Sequence, residues 1–244
     1  MKFASPLLQF ARLSLAVGIS YSLMANEAAA QIRYRPRRQG IPASRVSGGT
    51  RNPLPACIAG DVPLTAVSPL ENIGATAAAY PSFHWYMPEN TASHVEFWLY
   101  EADLDSGTEQ PIYQAVFLAG GDAGIATLEL PAAAGVPPLQ VGQTYRWTVS
   151  AYCDLDSAQA DMFIDGWVER VELGANLQTQ LAAAAEPLAQ AEIAAASGLW
   201  FETAEILTEA LRGRPDSAAV QSEFEALLRS VELDAIATAP LLLP

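Results

Sequence analysis

The sequence predicts an α+β chain, an antiparallel β-sandwich followed by a C-terminal α-helical subdomain. Three observations carry that prediction. TYRWTVSAYC at 144–153 alternates strictly: Tyr145, Trp147, Val149, Ala151 and Cys153 share one face, Thr144, Arg146, Thr148 and Ser150 the other. That is the period of two of a half-buried strand. Short segments of the same kind recur between about 61 and 173, separated by DSGTEQP, AGGDAG and PAAAGVPPLQVGQ, stretches whose Gly, Pro and Asp suit turns. After Gly174 the alternation stops, and alanine-rich stretches with apolar residues three and four apart replace it, the pattern of amphipathic helices.

The elements follow in chain order. Residues 1–30 read as a signal peptide. Lys2 and Arg12 precede the apolar run LSLAVGISYSLMA, and NEAAAQ offers small residues for cleavage after Ala30. An uncleaved anchor is the alternative. The run is short for a transmembrane helix, and no later segment is long and apolar enough to span a bilayer. An exported protein, periplasmic or extracellular, is expected.

Residues 31–56 read as an Arg/Pro/Gly-rich flexible arm that cannot bury enough surface to offset its ordering entropy. Residues 31–51 hold six arginines and no acid, +6; from Asn52 onward five arginines face 26 acids, and 5 − 26 gives −21. The acidic body repels nucleic acid, so none is expected as a partner. Arg33, Arg35, Arg37 and Arg38 are candidates for holding an acidic glycan or protein, with a plain spacer as the other reading.

Residues 57–173 form the predicted sandwich, of immunoglobulin-like type. VEFWLYEA sets Val95, Phe97 and Leu99 opposite Glu96, Trp98 and Tyr100. SFHWYM, PIYQAVFLA, GIATLEL and MFIDGWVERVEL supply further strands. Cys57 and Cys153 are the two cysteines, and an even count in an exported chain favours a disulfide. Two unpaired buried thiols are the alternative. Arg170, beside Glu169 and Glu172, reads as part of a local ion pair.

Residues 174–240 form the helical subdomain packed on the sandwich. Trp200, Ala204, Leu207 and Leu211 make one stripe; Val220, Phe224, Leu227, Leu228 and Val231 make another. GLWFETAEILTEALRGRP also resembles half of a tetratricopeptide repeat, which implies a helical hairpin.

Candidate chemistry is sparse. DLDS occurs at 103–106 and 154–157, and paired aspartates two apart suggest calcium. Counted from Asp154, an EF-hand would need glycine and glutamate where Gln159 and Asp165 stand. Both copies therefore read as turns, with a looser metal site from Asp154, Asp156 and Asp161 as the alternative. His84 sits among aromatics and reads as a hydrogen-bonded core imidazole rather than a base. No nucleophile elbow or phosphate-cradling loop occurs, and the sequence implies no cofactor. A non-enzymatic module binding an envelope protein or polysaccharide is expected; a hydrolase using a carboxylate pair on the acidic body is the alternative. Trp98 and Tyr100 are the candidate binding residues if their face is open. Packing beneath the helices is the favoured reading of that face, because the helical stripes need a surface to bury.

GGTR ahead of Cys57, YPSFHWYMP at 80–88, YRWTVSAYC at 145–153, GWVERVEL at 166–173 and GLWFETAEIL at 198–207 together resemble the cyanobacterial domain of unknown function 928 family. The resemblance implies export and one β-plus-helix unit. It supplies no catalytic residues.

Overall fold

The computed structural model describes residues 31–37, 44–46, 54–70, 72–118 and 121–242. Of these, 31–242 belong to one compact unit. The fold is mixed α+β. Its strands are β1 (Thr65–Ala66), β2 (Gly74–Thr76), β3 (Ser82–Met87), β4 (His94–Asp103), β5 (Thr108–Leu118), β6 (Gly124–Glu129), β7 (Thr144–Tyr152) and β8 (Met162–Arg170). Four helices follow: α1 (Ala175–Ala183), α2 (Pro187–Ala196), α3 (Trp200–Gly213) and α4 (Ala218–Arg229).

The strands form two open sheets, a three-stranded one in the order β1-β3-β6 and a five-stranded one in the order β2-β8-β7-β4-β5. Each predicted strand segment is present. The expectation of purely antiparallel pairing fails at one place: β2 runs parallel to β8, with Gly74 opposite Val168. Five strands lie between β2 and β8 in the chain, so no hairpin turn ties their directions and parallel pairing is open to them.

The core lies between the sheets. Phe83 on β3 meets Phe97 on β4 at 5.1 Å and Trp147 on β7 at 5.5 Å between ring centroids. Val95, Phe97, Leu99, Tyr145, Trp147 and Val149 are all buried, as their alternation requires. Gly166 is the residue that makes room for Trp147: a Cβ there would stand 2.6 Å from the indole, which no side chain tolerates. Cys57 and Cys153 form a disulfide with Cα atoms 5.5 Å apart, closing a loop with a sequence separation of 96. On the chain-entropy account a loop of that length is stabilising by about 4–5 kcal/mol.

The helices pack on β2 and β3 through α3. Trp200 is fully buried and donates Nε1 to the Val67 carbonyl at 3.0 Å, while Phe201 reaches the Phe83 ring at 5.5 Å. Glu202 closes the turn after β2, its Oε1 accepting from Thr76 Oγ1 at 2.8 Å and from the amides of Ala77 and Ala78 at 2.6 and 3.1 Å. Against the outer face of the three-stranded sheet lies a polar layer. Arg212 donates to Thr127 Oγ1 at 2.6 Å, Thr127 pairs with His84 Nδ1 at 2.9 Å, and Ser82 donates to Glu205 at 3.1 Å.

Two sequence expectations are corrected here. The arm is not free where it is described. Ile32 and Tyr34 are buried, with Arg33 and Arg35 exposed between them. The Ile32 amide donates to Glu223 at 2.6 Å, and Tyr34 stands edge-on to Trp200 at 5.1 Å. IRYR is thus a short period-two pattern whose apolar half docks on the helices, a signal outweighed in the sequence by the surrounding Arg, Pro and Gly. Further on, Ser44 O accepts from the Asp165 amide of β8, Arg45 O accepts from the Ala66 amide of β1, and the buried Arg45 guanidinium donates to the Val231 and Glu232 carbonyls just past α4 at 2.5 and 3.0 Å. A cation at exposed C-terminal carbonyls satisfies them and complements the helix dipole. Arg170, in turn, makes no ion pair with Glu169 or Glu172; its guanidinium donates to the carbonyls of Leu139 and Ala77.

Candidate functional site

The candidate site is the outer face of the five-stranded sheet. Register builds it. Trp98 on β4 stands opposite Thr148 on β7 and Gln114 on β5; Glu96 stands opposite Ser150 and Val116; Tyr100 stands opposite Arg146. Since directly paired residues point to the same side, these side chains form one continuous surface. It extends to Phe163 and Trp167 on β8, opposite Ser150 and Arg146.

Aromatic rings dominate it. Trp98 and Tyr100 are near-parallel, 6.0 Å between centroids and 16° between planes. Trp98 Nε1 donates to Glu96 Oε2 at 3.1 Å, and the Tyr152 hydroxyl reaches the same oxygen at 3.5 Å. His94 stacks flat on Tyr152 at 4.5 Å. Arg146 donates to Asp165 at 3.1 Å and to Glu109 at 3.2 Å, and lies over the Phe163 ring at 5.8 Å, within cation–π range. Burial pulls the Arg146 guanidinium down, but Asp165 and Glu109 outweigh it and hold its pKa above the ordinary value. Burial raises the Tyr100 and Tyr152 hydroxyls, in Tyr152 assisted by Glu96. The Trp98 and Tyr152 rings are thus tied to Glu96 and the Phe163 ring to Arg146, whereas the buried Trp167 indole N–H has no hydrogen-bond partner among the described residues. The surface can stack and hydrogen-bond, and at its end His94 Nδ1 lies 2.9 Å from the Ser93 hydroxyl, which also donates to the Tyr152 carbonyl at 2.9 Å.

This face is not beneath the helices. Trp98 and Tyr100 are half-buried only, none of their hydrogen bonds or ring contacts reaches a helix, and Val116 and Leu118 on the same face are 58% and 93% exposed. The expectation that helices cover the Trp98–Tyr100 face is corrected: α3 takes the β2–β3 side instead, where Gly74 and the small residues after it admit Phe201 and Trp200.

The other sequence candidates lie elsewhere. Arg33, Arg35 and Arg37 are exposed and sit against the helices, Arg35 through its amide to Ala195 O at 3.1 Å and Arg37 through its guanidinium to Ser197 O at 3.4 Å. Arg38 lies outside the described residues, as do residues 1–30 and GGTR at 48–51. Asp161 accepts from the Cys153 amide at 2.7 Å, and Asp103 from the amides of Asp105 and Ser106 at 2.9 and 3.2 Å. The Ser157 amide donates to the Asp154 carbonyl at 3.3 Å, so both DLDS segments are turns. Among the described residues no group of three His, Cys, Asp or Glu is placed to hold a metal ion, Asp154 and Asp156 included. His84 is 2% exposed; burial, aided by Arg212, lowers its pKa to about 3, so it is a neutral structural imidazole.

Alternation already set Glu96 beside Trp98 and Tyr100, but sequence reasoning missed Arg146, Tyr152 and Asp165 as members of the face. Alternation alone places each on one side of its strand; only the pairing of 94–102 with 144–152, and of 144–151 with 162–169, brings them together.

A family model described as Domain of Unknown Function (DUF928) matches residues 46–241. The chain belongs to that family. The matched stretch takes in both sheets and all four helices among the described residues, and leaves the docked Ile32–Tyr34 segment outside it. A comparison with curated proteins finds no match. No helix among the described residues is long and apolar enough to cross a membrane.

Proposed function

We propose that this protein is an exported, non-enzymatic binding module of a cyanobacterial cell envelope, and that it takes a glycan on the outer face of its five-stranded sheet. The observation that carries the reading is the Trp98–Tyr100 pair: two near-parallel, half-exposed rings on a rigid sheet, with Glu96, Arg146 and Thr148 beside them. Aromatic faces present apolar area at low entropic cost, and flanking polar groups orient what stacks on them. The Cys57–Cys153 disulfide supports export, since such bonds persist in oxidising compartments. The strand order supports an immunoglobulin-like sandwich: β1-β3-β6 follows the A-B-E order, and β8-β7-β4-β5 the G-F-C-C′ order, of that fold.

The test is tryptophan fluorescence titration with neutral and basic envelope polysaccharides, using the wild type and Trp98→Ala. Binding by the wild type and a loss of roughly 30-fold in the variant, the ~2 kcal/mol of a truncated aromatic hot spot, is the expected result. Equal binding by both proteins removes this face from the reading.

A second reading, a hydrolase with a carboxylate pair, has one observation behind it: burial raises the Glu205 pKa, and Glu205 lies one helical turn from Glu202 beside a groove between α2 and α3. Against it, Glu202 Oε1 is committed to three donors and Glu205 to Ser82. Glu205→Gln abolishing a measured glycosidase activity would favour this reading.

A further inference from the structure

Four sheet edges end differently in this fold. At one edge of the five-stranded sheet, β2 is three residues long, packs beneath α3, and touches Leu199 through an isolated bridge. In the three-stranded sheet, β1 is paired by Val46, and β6 is flanked by Leu241, whose neighbour Leu242 donates to the Ile125 carbonyl at 2.9 Å. The fourth edge is β5. It is 11 residues long, and among the described residues it pairs with β4 alone. Natural edge strands are usually short, charged or covered, because a bare one offers a row of unpaired backbone groups to another chain.

β5 has such protection only in its first half, where the ladder to β4 shifts register and skips Ile112 between the Tyr100–Pro111 and Leu99–Tyr113 pairs. Its one charge, Glu109, and its proline, Pro111, both lie near its start. From Gln110 to Leu118 the strand QPIYQAVFL carries no charge at all, although the chain from Asn52 onward has a net charge of −21. Val116 and Leu118 are 58% and 93% exposed on its outer side.

We propose that β5 is a self-association edge, pairing antiparallel with β5 of a second copy to make one continuous ten-stranded sheet. Charge selects this occupant. Two copies of so acidic a body repel one another over most of their surfaces, and the uncharged β5 strip is where they can meet without opposing like charges. A two-fold axis at Gln114 sets Tyr113 opposite Ala115, brings Val116 and Leu118 of each copy toward the irregular Gln110–Ile112 stretch of the other, and leaves the two Glu109 side chains at opposite ends. The nine uncharged residues span about 30 Å, enough for backbone pairing along most of the edge. Because the axis is normal to the sheet, both Trp98–Tyr100 faces end on the same side. A dimer would thus present two copies of the proposed glycan surface to one polymer, gaining avidity. The pairing itself does not depend on that surface binding a glycan.

Sedimentation velocity on the full chain, produced with its own N-terminal segment, tests the proposal. The wild type is expected to show a concentration-dependent dimer. The double variant Val116→Lys/Leu118→Lys is expected to weaken that dimer more than tenfold at an unchanged melting temperature, since both side chains are exposed. Hydrogen exchange on the wild type supplies a second readout that needs no variant: β5 amides should lose protection on dilution, while β7 amides keep theirs. A wild type that stays monomeric at high micromolar concentration overturns the proposal, as does a dimer undiminished by the two lysines. So does a monomer whose β5 amides become protected only when another protein or a polysaccharide is added.

Discussion

The outer faces of the two sheets contrast sharply. On the three-stranded sheet, helix α3 seals a polar layer in which His84 is 2% exposed and bonded to Thr127, itself held by Arg212. On the five-stranded sheet, large rings lie open to solvent, with Trp98 and Tyr100 half-buried at most. Polarity alone would have assigned the two faces the other way round. The difference teaches that burial of a sheet face is decided by what lands on it, and that a polar side chain is admitted wherever its partners arrive with the covering element.

The largest expected effect tests the sealed face. His84 has a folded pKa of about 3 against an ordinary value of 6.5, with burial the main cause. Between those values the unfolded chain binds the proton and the folded chain does not, so the stabilisation is full above pH 6.5 and declines as pH falls toward 3. The integrated change is roughly 4–5 kcal/mol. Urea denaturation as a function of pH should show this decline, and His84→Gln should flatten it. A variant curve parallel to the wild type would mean the imidazole is reached by water.

Next comes the shared core. Trp147→Ala removes the ring that Phe83, Phe97 and the Gly166 backbone enclose, and is expected to cost about 4 kcal/mol in chemical denaturation. A loss below about 2 kcal/mol would mean that the sheets close over the gap.

The smallest expected effect belongs to the open face. Trp98→Ala should lower stability by less than about 1 kcal/mol, because the ring is half-exposed and its one hydrogen bond goes to Glu96. A loss comparable to that of Trp147→Ala would make Trp98 a packing residue and erase the contrast between the faces.

Much of the fold was legible in the chain. The period of two in 94–102 and 144–152 and the stripes of α3 and α4 are consequences of backbone geometry that any window of sequence carries. Turn chemistry at both DLDS segments was legible for the same local reason. The candidate site was legible only in part: Trp98 and Tyr100 could be singled out, but not their exposure, nor their assembly with Arg146, Tyr152 and Asp165.

What the sequence by itself determined is therefore everything set within a few residues: strand and helix positions, the alternation that buries Phe97 and Trp147, the turns, and a cysteine pair ready to bridge. Tertiary structure alone decided which sheet the helices cover, why Ile32 and Tyr34 dock rather than trail, what Arg45 and Arg170 bind, and which long edge strand pairs on one side only among the described residues. Those outcomes depend on contacts between residues far apart in the chain, from 31 positions for Arg170 and Leu139 to 191 for Ile32 and Glu223. A local pattern states what each segment needs to bury or bond, and only the packed chain settles which distant partner supplies it.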